Sequence, residues 1–166
     1  MKILCINPNI TGSITERVLD VGRAHAPVDV ELIGSTGRFG AKYITTRAAT
    51  AVAAHAALDC YAENRHGIDG VLLACFGDPG LLALKEIADV PVIGLAEASC
   101  HLAAMQAQKF SIITGGHRWG PMLEEFVAGM GLSSRLASVR TVAPSGGDIA
   151  ANPQAAYALL AAEVRA

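Results

Sequence analysis

Short apolar runs alternate with longer stretches of helical spacing along this chain. Lys2 to Ile6, Val28 to Ile33, Val71 to Ala74, Pro91 to Gly94, Lys109 to Thr114 and about Leu136 to Val142 have the length and content of buried strands. Between them lie helical stretches. Ser13-Ile14-Thr15-Glu16 has capping-box spacing for a helix to about His25. An Ala-rich helix is expected from Thr45 to about Asn64, and others from Leu81 to Ala88, Ala98 to Gln106, Pro121 to Met130 and from about Pro153. Strand and helix alternate throughout, the pattern of parallel βαβ units. The glycine-rich stretch Gly34 to Gly40 lacks a terminal Gly-Lys-Ser/Thr and is not a phosphate loop.

Around Gly94 to Glu97 the pattern begins again. The Lys-led strand at Lys2 returns at Lys109, 107 positions on, each ending in a polar turn: Asn7-Pro8-Asn9 first, then Thr114-Gly115-Gly116-His117. The order of elements, and not residue identity, marks an internal repeat. The expectation is an α/β fold of two similar lobes, each a parallel sheet flanked by helices. The first covers residues 1–95 and carries Cys75. The second covers 96–166 and is incomplete, stopping before the counterpart of its third strand.

Composition narrows the function. Hydrophobic residues make up 52%, many of them alanine, without a spanning run, so no membrane partner is expected. A net charge of −2 with no basic patch argues against nucleic acid. Four separated cysteines with no CxxC pair form neither a disulfide framework nor a zinc site, and they fit a reducing cytoplasm. No signal-peptide pattern opens the chain, and no cluster has metal-ligand spacing.

The chemistry concentrates in Gly70 to Gly80. Val71 to Ala74 reads as a central strand, Cys75 stands at its carboxyl end, and Gly77, Pro79 and Gly80 break it into a turn before the next helix. Open α/β sheets bind ligands at that end. Turn N–H groups and a positive helix end would favour a thiolate there, making Cys75 a base or nucleophile. The competing reading is a buried strand cysteine. Cys5 and Cys60 read as core. Cys100, at a helix start, reads as packing before chemistry. Among the histidines, His55 reads as a helix-face residue and His66 as a helix-end cation, while His117 is the one in a predicted cleft loop. Trp119 lines a pocket or packs a lobe with equal weight.

Three motifs carry a resemblance. Ile6-Asn7-Pro8-Asn9, Ala74-Cys75-Phe76-Gly77-Asp78-Pro79-Gly80-Leu81 and Pro91-Val92-Ile93-Gly94-Leu95-Ala96-Glu97-Ala98 resemble, in order and spacing, the aspartate/glutamate racemase superfamily. Within it they look like the hydantoin and allantoin racemase branch, since Cys-Phe-Gly stands here where glutamate and aspartate racemases carry Cys-Asn-Thr. The resemblance implies two α/β lobes, no cofactor, a homo-oligomer, and two cysteines working on opposite faces of the substrate's α-carbon. Cys75 matches the first; the second, in a Gly-Cys-Ala-Gly-like strand end, has no match here.

The expected activity is therefore cofactor-independent racemisation of a hydantoin- or allantoin-like small molecule, with the Cys75 thiolate removing the proton α to a carbonyl. The N–H groups of Phe76 and Gly77 are candidate donors to the enolate oxygen. Asn7, Asn9, Thr11, Thr114, Gly115 and His117 would hold the substrate. Ordinary turn and cap chemistry competes for Asn9 and Thr11, and Glu97 reads as a hinge or cap residue. The alternatives are a one-cysteine decarboxylase or isomerase, and a non-catalytic binding protein or truncated pseudoenzyme.

Overall fold

The computed structural model describes residues 1–165; Ala166, the last residue of the expected second lobe, lies outside them. The described residues form two parallel sheets flanked by helices. In chain order the elements are β1 (Lys2–Asn7), α1 (Gly12–His25), β2 (Glu31–Thr36), α2 (Arg47–Asn64), β3 (Gly70–Leu73), α3 (Leu81–Ile87), β4 (Val92–Gly94) and α4 (Leu95–Gln106). They continue with β5 (Phe110–Gly115), α5 (Trp119–Gly129), β6 (Leu136–Val142), α6 (Gly146–Ala151) and α7 (Pro153–Arg165). The chain divides into two compact units. One comprises Met1–Ile44 and Ala48–Ala98, the other Thr45–Arg47 and the residues from Ser99 on.

In the first unit the strands lie in the order β2-β1-β3-β4, all parallel. Leu4, Ile6, Val71, Leu73 and Val92 point into one core with Ala57, Cys60 and Tyr61 of α2 and with Leu81 and Leu84 of α3. Alanines on α2 let that helix lie close to the sheet, and Ala56 and Ala57 are wholly buried. In the second unit β5 pairs with β6 in parallel. Helix α5 packs on β6 and buries Leu123 and Val127, while α7 lies against both strands. Arg135 closes the end of α4 by donating to the carbonyls of Ala104, Ala107 and Gln108.

Several boundaries differ from the sequence expectation. The second strand begins at Glu31, not Val28, whose side chain is fully exposed, and it runs on through Gly34 to Thr36. Gly34 is not a loop residue: a Cβ there would press on Thr15 and Leu19 of α1, so its absence lets α1 seat on β2. Ser13–Glu16 is not a capping box, because α1 already begins at Gly12 and its N-cap Thr11 makes no side-chain cap bond. The capping box is at α6, where Ser145 accepts from the Asp148 N–H and Asp148 accepts from the Ser145 N–H. The helix expected in this region starts only at about Pro153. Helix α4 begins at Leu95, three residues before the expected Ala98.

Leu4 is wholly buried on the central strand. Leu4→Ala is expected to destabilise the chain by about 3 kcal/mol, read as a lower denaturant midpoint with unchanged slope.

Candidate active site

The strand order reverses direction between β1 and β3. Chain crossings leave β1 toward β2 on one side and return to β3 on the other, so the carboxyl ends of β1 and β3 are not roofed by a common connection. At this switch point Ile6 is level with Leu73, and the Ala74 N–H donates to the Ile6 carbonyl at 2.8 Å. Asn7 closes β1 there, and Cys75 follows β3 by two residues.

The turn that carries Cys75 is unusual in backbone. Gly77, Asp78 and Gly80 all have positive φ, of 105°, 45° and 84°. The Asp78 N–H donates to the Cys75 carbonyl at 2.9 Å, and the Leu81 N–H to the Asp78 carbonyl at 3.1 Å. Gly80 caps α3, and a Cβ on it would press on the backbone of Ala54. The N–H groups of Phe76 and Gly77, the two residues after Cys75, have no partner among the described residues.

Cys75 is half-buried, whereas Cys5, Cys60 and Cys100 are buried. Its Sγ contacts the Phe76 carbonyl oxygen at 4.0 Å. Burial pushes the Cys75 thiol up from 9.0 to about 12, and the neighbouring Asp78 carboxylate adds to the rise. Both effects favour the thiol over the expected thiolate, and α3 itself begins at Leu81, beyond Pro79 and Gly80.

Asp78 escaped the sequence reading. Its buried carboxylate accepts from the N–H groups of Ala96 (2.9 Å) and Glu97 (2.7 Å), the first turn of α4. Burial raises its pKa, while those two N–H groups and Lys85 oppose the rise. Glu97 is paired in turn with Lys85 of α3 at 2.6 Å. No spacing rule links positions 78 and 96, so only the fold reveals the pair.

The expected substrate-holding residues fall into two groups. Asn7 is 1% exposed, and its Nδ2 lies 3.0–3.1 Å from Asn9 Oδ1, the Thr11 carbonyl and Thr15 Oγ1. Its Oδ1 accepts from the Asn9 N–H. Asn9 Oδ1 also accepts from the Thr11 N–H at 2.8 Å, and Thr11 donates its hydroxyl to the Lys42 carbonyl. These three side chains build the turn after β1, although Asn9 Nδ2 keeps no partner among the described residues. In the second unit Thr114 is level with Thr141, and Gly115 with Val142. His117 is exposed, with Nδ1 3.1 Å from Thr141 Oγ1. Trp119 starts α5. No helix among the described residues is long and apolar enough to cross a membrane.

Comparison with known proteins accords with this arrangement. The family described as Asp/Glu/Hydantoin racemase matches residues 3–166. A hydantoin racemase from Pseudomonas sp. (strain NS671) is 32% identical over 98% of this chain and 66% of its own length. One from Paenarthrobacter aurescens is 35% identical over 84% of this chain and 60% of its own. The crystal structure of an allantoin racemase from Pseudomonas fluorescens superposes with a TM-score of 0.94 at 31% identity, covering 98% of this chain and 69% of that one. The chain thus spans about two thirds of the length of these relatives.

Two predictions follow from the geometry. Asn7→Ala strands the polar groups of the β1 turn and is expected to cost about 2 kcal/mol of stability. Lost activity at unchanged stability would instead make Asn7 a substrate contact. The second concerns pH. The folded chain keeps the Cys75 proton up to about 12, while an exposed thiol releases it near 9.0. This contribution is therefore intact below that lower value and drains away as pH rises toward the higher one. The denaturation midpoint should fall on the alkaline side, and Cys75→Ser should make the fall shallower. An unchanged slope would mean that the thiol ionises normally.

Proposed function

Since this chain belongs to the Asp/Glu/hydantoin racemase family, we propose that it catalyses proton exchange at the α-carbon of a hydantoin- or allantoin-like substrate, with Cys75 as the acid/base. The observation that carries the reading is the position of Cys75. It is a half-buried thiol at the sheet's switch point, with the open N–H groups of Phe76 and Gly77 next to it.

The chemistry suits these parts. A proton α to a carbonyl leaves when a base reaches it and donors take up the charge forming on oxygen. Inversion takes an acid/base on each face of the α-carbon. When a base on the far face removes the substrate proton, the Cys75 thiol delivers one to the near face: the S–H bond breaks, a C–H bond forms and a thiolate remains. From the substrate of opposite hand the Cys75 thiolate removes the proton and becomes the thiol, while the far group delivers its own. Burial stocks the resting site with thiol, so delivery is the step for which that site is ready. Abstraction goes through a small thiolate fraction, which is a correspondingly strong base. Within the first unit, Asn9 Nδ2 has no partner among the described residues and would be open to a substrate amide or carbonyl. A second reading, exchange by one cysteine without inversion, is favoured by one observation: the other three cysteines are buried.

The test is proton NMR in D₂O with an optically pure 5-substituted hydantoin or allantoin, read together with chirality against an enzyme-free blank. The expected result is exchange with inversion that falls at least about 100-fold in Cys75→Ser. Exchange with retained configuration would favour the one-cysteine reading. No exchange above blank from a folded chain would overturn the proposal and favour a binding protein.

A further inference from the structure

We infer that Asp78 is the positioning residue of Cys75: by seating its carboxylate on the first N–H groups of α4, it fixes the turn from which the thiol projects. Three observations carry this. The carboxylate is buried and both its oxygens are used, Oδ1 on Ala96 N and Oδ2 on Glu97 N. The backbone of Asp78 is left-handed, and its N–H and carbonyl are both committed, to Cys75 on one side and Leu81 on the other. An aspartate in that conformation needs support from its surroundings, and the two N–H bonds supply it. Third, Gly94, just before α4, has no room for a side chain. A Cβ there would fall on the Asp78 carboxylate and against Leu81.

The seat is also charged. A carboxylate at a helix start meets unpaired N–H groups and the positive end of the helix dipole. Glu97 faces it with like charge, and Lys85 compensates both. The result is a rigid path from α4 through the Asp78 side chain to the peptide that carries Cys75. Asp78 touches no reacting atom in this scheme. It acts through the cysteine, by geometry and as a negative charge that disfavours the thiolate.

The inference rests on Cys75 being the working group, but its test needs no turnover. Iodoacetamide alkylation of Cys75 is followed against pH by peptide mass spectrometry on the full chain, for wild type, Asp78→Asn, Gly94→Ala and Glu97→Gln. In Asp78→Asn, alkylation at about pH 8.5 should be at least about threefold faster, since the like charge is gone and the seat is weakened. Gly94→Ala, which pushes the carboxylate off its seat without removing it, should also speed alkylation. Glu97→Gln breaks the Lys85 pair but leaves the Ala96 and Glu97 N–H groups in place, and should match wild type. A folded Asp78→Asn with the wild-type profile would overturn the inference, as would an equal change in Glu97→Gln. Should Asp78→Asn not fold, Gly94→Ala decides. If neither folds, Asp78 serves the fold and not the cysteine, and the inference falls. A chain that exchanges no α-proton but shows the Asp78 effect sinks the racemase proposal alone; exchange without the effect sinks this inference alone.

Discussion

The first unit depends on β1 lying between β2 and β3. Six register pairs tie β1 to β2 and four tie it to β3, all parallel. Because the connections leave β1 on opposite sides, the polar ends of β1 and β3 emerge together with no crossover above them. The sheet's apolar residues then hold both ends rigidly, since Leu4, Ile6 and Leu73 show no exposed surface. The Cys75 turn gains its fixed position from this core. A loop of three positive-φ residues would otherwise have many conformations to choose from, and each ordered residue costs roughly 1–2 kcal/mol of backbone entropy.

Within that turn two effects oppose each other. Open N–H groups at Phe76 and Gly77 favour negative charge, and burial with a carboxylate nearby disfavours it. Desolvation wins in the resting chain. Under the proposed exchange, the open N–H groups would meet charge forming on a substrate oxygen during reaction and not charge kept on sulfur at rest.

Much of this was legible in the sequence, and the misses share a cause. The strand–helix alternation, the parallel sheets and the place of Cys75 after a buried strand all follow from local hydrophobic pattern. The thiolate expectation took in the helix start and the turn N–H groups but not the Asp78 carboxylate or the burial of the sulfur, both of which favour the thiol. The glycines at 34 and 94 look alike in sequence. One makes room for a neighbouring helix and the other for a carboxylate, a distinction carried by residues 13 to 19 positions away. Capping boxes misled for a local reason: Ser13–Glu16 has the right spacing inside a helix that had already begun, while Ser145–Asp148 uses aspartate in the third position.

The repeat itself is instructive, because element order and turn chemistry separate. Both units place a strand, a helix and a parallel partner strand in the same sequence. By that equivalence Asn7 and Thr114 would share a role. Yet Asn7 is sealed into its turn by Asn9, Thr11 and Thr15, while Thr114 is half-buried with a hydroxyl that has no partner among the described residues. The turn after β5 is closed by backbone instead, through the Gly116 N–H on the Val142 carbonyl. Where backbone closes a turn, the side chains at the strand end are released for other contacts; where an asparagine closes it, its amide is spent. Topological equivalence thus fixes where a residue stands, and the local hydrogen-bond accounting decides whether it has anything left to offer a ligand.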